Sequence, residues 1–382
     1  MKHIKRTTFG FAAAAAVGAL VLSGCSASEP DSGGASGSSE LTPVKLQLQW
    51  LTQAQFAGYY AAAAEGYYED EGLDVEIIQG GGDIVPQDAL ANGDVDFAIS
   101  WVPKVLGSIE NGANITDVAQ IFERSATLQV SFKDQNITSA ADLAGKTIGS
   151  WGYGNEWELY AGLNKAGVTD EVTVVSQNFD MNALLSGDID AAQAMTYNEY
   201  AQLLETVDPE TGELYTPDDF NVIDWNEEGT SMLQDAIWAD AGRLADDAEY
   251  AETTVKFIKA SIKGWAFARD NAQEAADQVT AAGSTLGLSH QLWMTNEVNK
   301  LIWPSTAGGV GMIDTAAWDA TVAMALETSN ETGSTIITEE PPASAYSNEY
   351  VEKALAELKD EGIDVEGADF APLDVELKEG GE

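Results

Sequence analysis

Residues 48–60, LQWLTQAQFAGYY, set two of their three glutamines, Gln53 and Gln55, among Trp50, Phe56, Tyr59 and Tyr60. Aromatic rings offer flat apolar faces, and a carboxamide offers a donor and an acceptor without charge. The chemistry available to such a set is recognition. It stacks on the face of a planar, neutral, heteroatom-rich ring and reads the ring's edge. Three further clusters combine aromatic and polar residues in the same way. They are Ser100-Trp101, then Trp151-Gly-Tyr153-Gly-Asn155-Glu156-Trp157, then Tyr197-Asn198-Glu199. Glu156 and Glu199 either accept hydrogen bonds from an amino group or stand as solvated surface carboxylates. The candidate ligand-binding residues are Trp50, Gln53, Gln55, Phe56, Ser100, Trp101, Trp151, Tyr153, Glu156, Tyr197, Asn198 and Glu199. Tyr60 and Tyr67 read as core.

Covalent chemistry has little to work with. The only histidines are His3 and His290, and the only cysteine is Cys25. Zinc sites built from Cys and His are effectively ruled out. There is no P-loop, no dinucleotide fingerprint and no nucleophile elbow. No metal and no cofactor is expected. An enzyme would need a base in the cleft, and Glu156 is the only plausible candidate.

Charge narrows the partners. The chain carries 18 Lys and Arg against 63 Asp and Glu, a net charge of −45. Phosphate contacts need Lys and Arg, so nucleic acid is not expected, nor is an anionic membrane surface. The acidity reads as a device for solubility or a salty habitat.

The elements that must position these residues follow from periodicity. Val44 to Trp50 reads as a strand, Ala57 to Gly66 as a helix and Leu73 to Ile78 as a second strand broken by Gly80-Gly81-Gly82. Pro86 to Asn92 reads as a helix and Asp96 to Ser100 as a strand. Alternating strands and helices of about ten residues predict βαβ units in an α/β fold with mostly parallel sheets. Each recognition cluster then falls at a strand's carboxyl end, the edge where open α/β sheets bind ligands. An internal echo, ALANGDVDFA (89–98) and ALLSGDIDAA (183–192), suggests two similar lobes, with Gly93 and Gly187 at helix ends in left-handed backbone. The first crossing between lobes is placed near Thr127–Phe132 and the return near Leu233–Trp238. Residues 244–282 look helical and amphipathic.

The start of the chain reads as an address. Positive residues 2–6 precede an apolar run from Phe9 to Leu22, then Leu22-Ser23-Gly24-Cys25. This is the layout of a secretory signal. Its ending resembles the bacterial lipoprotein box, which implies that Cys25 is lipidated and becomes the first residue. Residues 26–42 are rich in Ser, Gly and acidic residues and read as a flexible tether. The expected organisation is a leader over 1–24, a tether over 25–43, lobe 1 over 44–130 and 235–345, lobe 2 over 131–234, and a C-terminal extension over 346–382.

The run LQLQWLTQAQFAGYYAAAAEGYYEDEGLDVEIIQGGG resembles the start of substrate-binding proteins of the NMT1/THI5-like (SsuA/THI5-like) group. So do DLAGKTIGSWG and HQLWMTNEVNKLIWPSTAGGVGMID (290–314). The resemblance covers most of residues 44–345. It implies a two-lobed periplasmic-binding-protein-like fold of type II. The implied partners are a small molecule, an ABC permease and ATPase subunits, and a membrane reached through the lipid on Cys25. The implied protein is an extracytoplasmic monomer that binds a thiamine-pyrimidine precursor or riboflavin. Alkanesulfonate or taurine binding is the alternative, disfavoured because the proposed loops hold no Arg or Lys and Lys104 and Arg124 lie outside them. A fungal pyrimidine synthase shares the superfamily, but it depends on a lysine, a histidine and a cysteine-rich motif. This chain has no second Cys, and its strand-end loop carries Gln53 and Gln55 in place of a histidine.

Overall fold

The computed structural model describes residues 41–382. The leader expected over 1–24, the lipidation expected at Cys25 and the expected tether up to residue 40 lie outside the described residues. No helix among the described residues is long and apolar enough to cross a membrane.

Among the described residues ten strands carry the fold: β1 (Thr42–Gln47), β2 (Leu73–Ile78), β3 (Phe97–Trp101), β4 (Ile115–Gln120), β5 (Thr127–Phe132), β6 (Thr147–Ser150), β7 (Thr173–Ser176), β8 (Ala192–Met195), β9 (Phe220–Asp224) and β10 (Asp235–Asp240). The first lobe is built on a sheet ordered β2-β1-β3-β10-β4. Its β1–β2 and β1–β3 pairs are parallel. β10 runs antiparallel to both neighbours, because it brings the chain back from the second lobe. The second lobe holds β8-β5-β9 and β6-β7, and a bridge from Ile148 to Ala191 lays β6 beside the segment entering β8.

β1 begins at Thr42, two residues inside the expected tether, and pairs with β2 from Thr42 to Gln47. It stops before Leu48, so Gln49 and Trp50 leave the sheet as a bend. β5 already belongs to the second lobe, which puts the first crossing at residues 121–126, just before the predicted segment. The expected junctions at Gly93 and Gly187 form as left-handed turns, with φ of 76° and 75°. The long helical region is three helices, Ala241–Asp246, Ala248–Asp270 and Ala272–Ala281.

The main core packs one face of the first sheet against the helices Ala57–Ala64 and Ala248–Asp270. Phe97 stacks on Phe257 with centroids 4.3 Å apart. The two helices touch backbone to backbone at Gly58 and Gly264, where a Cβ on Gly264 would stand 2.0 Å from the Gly58 carbonyl oxygen. Residues 346–382 are not an appended extension. Val351, Leu355 and Leu358 of the helix Glu349–Asp360 are part of this core. The tail then follows the helix Leu288–Ile302 and ends where Gly380 N–H donates to the Glu205 carbonyl at 3.1 Å.

The two crossings between lobes are tied by a buried polar knot. Ser125 Oγ donates to Glu158 Oε2 at 2.8 Å, and Met232 N–H donates to Glu158 Oε1 at 2.6 Å. Gln234 accepts from Ala126 N–H at 2.9 Å and donates to Ser125 Oγ at 3.0 Å and Thr127 Oγ1 at 2.7 Å. Buried polar groups are costly unless paired, so this knot fixes how the strands cross.

Candidate functional site

The carboxyl ends of both lobes' strands face a single cavity of about 460 Å³. That volume falls within the range of about 300–1,000 Å³ usual for small-molecule pockets.

Its floor follows from register. β10 pairs so that Asp235 lies opposite Trp101 at the end of β3. The Trp101 indole N–H donates to Asp235 Oδ1 at 2.7 Å. Gln49 Nε2 donates to the same oxygen at 2.6 Å, and Gln55 Nε2 donates to Oδ2 at 3.0 Å. Gln53 Nε2 donates in turn to Gln55 Oε1 at 2.9 Å. The turn that carries these glutamines is pinned by Gln291, which accepts from Ala54 N–H at 2.7 Å. Asp235 is buried, and that burial pushes its carboxyl up to about 6, with the donors Gln55, Trp101 and Gln49 and the charge of Lys104 pulling it back.

The first-lobe wall carries Ser100, Gln87 and Lys104. Ser100 Oγ donates to Gln87 Oε1 at 3.1 Å. Lys104 sits in the first turn of the helix Val102–Glu110, with Nζ 4.6 Å from the Trp101 ring centroid. Burial lowers its ammonium to about 8, against the pull of Asp235 and Glu156.

The second-lobe wall is a held loop. Gly152, Tyr153 and Gly154 take φ of 67°, 55° and 85°. The left-handed region suits glycine, and Tyr153 enters it because its neighbours are clamped. Asn155 Nδ2 donates to the Gly152 carbonyl at 2.7 Å, and Gln193 donates to the Asn155 carbonyl at 2.6 Å. Tyr153 is thereby thrust out at the mouth, 92% exposed. Phe179 reaches across from the second lobe, 4.5 Å from the Trp50 ring and 6.2 Å from the Trp151 ring.

Tyr197-Asn198-Glu199 closes the far side. Glu199 Oε2 accepts from Met195 N–H at 3.0 Å, and Asn198 Nδ2 donates to Glu199 Oε1 at 2.8 Å. Burial raises the Glu199 carboxyl to about 7. Behind it, His290 faces Asn198 Oδ1 through Nε2 at 3.0 Å and Glu205 through Nδ1 at 2.8 Å.

The structure brings Trp50, Gln53, Gln55, Ser100, Trp101, Trp151, Tyr153, Tyr197, Asn198 and Glu199 to this cavity. Two expected residues are not on its lining. Phe56 is wholly buried in the first-lobe core, because it ends the short turn Ala54–Phe56 facing inward. Glu156 accepts from Gly154 N–H at 2.8 Å and so staples the loop from within. Lys104, Phe179, Gln49 and Gln87 line the cavity beyond the expected set. Lys104 corrects the expectation of a wall without cations. The helix Val102–Glu110 starts directly at the end of β3, so its first turn does the work expected of a loop. Phe179 follows β7, a four-residue strand with partly exposed residues and little apolar signal. Among the described residues no group of His, Cys, Asp and Glu is placed to hold a metal ion.

Two α/β lobes joined by two crossings, with a cleft at their strand ends, define the type II periplasmic-binding-protein fold. The aliphatic sulphonate binding protein SsuA of Escherichia coli shares it, with a TM-score of 0.55 at 13% identity over 88% of this chain and 94% of that one. Residues 53–275 match the NMT1/THI5 like family, and the chain belongs to that family. A formylaminopyrimidine-binding protein of Halalkalibacterium halodurans is 25% identical over 63% of this chain and 71% of its own. The riboflavin-binding protein RibY of Chloroflexus aurantiacus is 28% identical over 68% and 74%. A 4-amino-5-hydroxymethyl-2-methylpyrimidine phosphate synthase of Aspergillus parasiticus is 24% identical over 42% and 48%.

Proposed function

We propose that this protein is the extracytoplasmic solute-binding component of an ABC importer. Its solute is a planar heteroaromatic vitamin or vitamin precursor, a thiamine-type pyrimidine or riboflavin. The solute is held between the lobes and passed to a permease driven by its ATPase subunits. The observation that carries this reading is the cavity, where Trp50, Phe179 and Trp151 offer ring faces and Gln49, Gln53 and Gln87 offer an edge. The relatives named for formylaminopyrimidine and riboflavin support that ligand class. Binding shifts the lobes toward a closed form, and no bond is made or broken. The one carboxylate that the sequence offers as a base, Glu156, is spent on the Gly154 N–H. The chain is held at the membrane by lipid on Cys25.

Lys104 favours a second reading. A half-buried ammonium at the wall suits a sulfonate, and the SsuA fold likeness is consistent with that. A thermal-shift panel on the full chain separates the readings. It includes riboflavin, hydroxymethyl- and formylamino-pyrimidines, thiamine and taurine. A solute at about 100 times its dissociation constant adds about 2.7 kcal/mol of stability. A shift with a pyrimidine or with riboflavin supports the first reading and distinguishes its two forms. A shift with taurine alone replaces it with the second, and no shift with any of them overturns both.

A further inference from the structure

Three cavity-lining side chains, Gln49, Gln55 and Trp101, converge on Asp235, which is 2% exposed. A fourth, Gln53, is joined to it through Gln55. An ionised carboxylate only accepts hydrogen bonds, so it dictates which end of each carboxamide faces it. Gln49 and Gln55 must both turn their nitrogens to Asp235. The Gln55 oxygen is then turned away, where it takes the Gln53 nitrogen. The Gln53 oxygen is the end of that chain, and the Gln49 oxygen is the end of a shorter one. Among the described residues no group donates to either oxygen, and both side chains line the cavity. The opposite wall has the reverse polarity. The Ser100 hydroxyl occupies the Gln87 oxygen and leaves its nitrogen over. Lys104 Nζ lies against the Trp101 ring and donates to no acceptor among the described residues.

We propose that Asp235 is a positioning residue that sets the polarity of the cavity. By holding the amide nitrogens inward, it presents a floor of carbonyl oxygens from Gln49 and Gln53. The solute therefore offers an N–H edge, an amino or imide group, to that floor, and an acceptor, a carbonyl oxygen or ring nitrogen, to Gln87 and Lys104. This inference rests on the reading of the cavity as the solute site.

Asp235→Asn tests it, because the substitution keeps shape and replaces one accepting oxygen with a donor. The Trp101 indole N–H keeps the remaining oxygen at the Oδ1 position, so the new donor faces Gln55, draws its oxygen inward and turns the Gln53 nitrogen outward. Calorimetry on the full chain compares 4-amino-5-hydroxymethyl-2-methylpyrimidine with its 4-methoxy analogue, which keeps the ring nitrogens but carries no N–H at that edge. The wild type should prefer the amino compound by about tenfold or more, since a site built for a donor rejects a ligand lacking it. In the variant the preference should vanish or reverse. Equal binding of the two compounds by the wild type, or equal weakening of both in the variant, overturns the proposal. Side-chain amide resonances of the ligand-free full chain give an independent readout. Gln53 does not touch Asp235, so movement of its resonance in the variant supports the relay. An unmoved Gln53 overturns it, even if neither pyrimidine binds and the solute reading has failed on its own.

Discussion

Glu158→Gln removes the charge from the knot at the lobe crossings while keeping its shape. Glu158 is 5% exposed and takes hydrogen bonds from Met232 N–H and Ser125 Oγ. Burial pushes its carboxyl from 4.5 up to about 7, and those bonds recover only part of the rise. The folded chain therefore holds this proton more tightly than the unfolded chain. The resulting stability is fully present below about pH 4.5 and is lost as pH climbs through about 7. A rise from 4.5 to about 7 corresponds to about 3 kcal/mol. Glutamine does not titrate. Urea unfolding of the full chain at about pH 4.5 and about pH 8.5 measures the effect. Relative to wild type, the variant should gain about 3 kcal/mol between those points. Asp235 and Glu199 also carry raised carboxyls, but they are common to both proteins and cancel in the difference. Parallel stability curves for the two proteins would refute the account of Glu158 as a buried, proton-holding group.

Trp50→Ala should weaken solute binding by about 1–3 kcal/mol if the indole stacks on a ring; calorimetry reads it, and wild-type affinity contradicts the stacking role. Lys104→Met should cost a sulfonate about 3 kcal/mol or more, and a neutral ring only about 1.5–3 kcal/mol. Equal affinity for a sulfonate in both proteins removes Lys104 from the second reading. Gly264→Ala forces the helices Ala57–Ala64 and Ala248–Asp270 apart, because the added Cβ would also meet Ala62 at 2.8 Å. It should destabilise by about 1–3 kcal/mol, and an unchanged melting temperature contradicts the close contact. Cys25→Ser should release the protein from membranes with solute affinity unchanged, and retention in the membrane fraction contradicts the anchor.

The sequence exposes what repeats locally. The alternation of Val44 and Leu46, the breaks at Gly93 and Gly187, and the aromatic-amide clusters at strand ends all predict features seen in the fold. It hides what depends on long-range register. Asp235 reads as the polar start of a strand, and nothing nearby shows that Trp101, 134 residues away, would lie opposite it. Lys104 lies outside the aromatic-polar clusters, and only the absence of a loop after β3 puts its side chain on the cavity. Glu156 sits in the right loop but spends its carboxylate on the backbone turn that the flanking glycines create. Phe56 shares its neighbours' chemistry and points the other way, an outcome of turn geometry that composition does not carry.

The position of β10 between β3 and β4 has a consequence for the order in which the chain matures. A chain extending from its N-terminus holds β1 to β4 by residue 120, yet β3 and β4 are not neighbours in the sheet and have no common partner until residues 235–240 exist. The pairing that completes the first-lobe sheet also installs Asp235 beneath the glutamines, so the floor of the cavity forms only after the strands of the second lobe have been made. During that interval two strand edges stand open, and open edges recruit other chains. Aggregation during synthesis should therefore concentrate in chains stopped between β4 and β10, while a chain extended past Asp240 can bury both edges in one step.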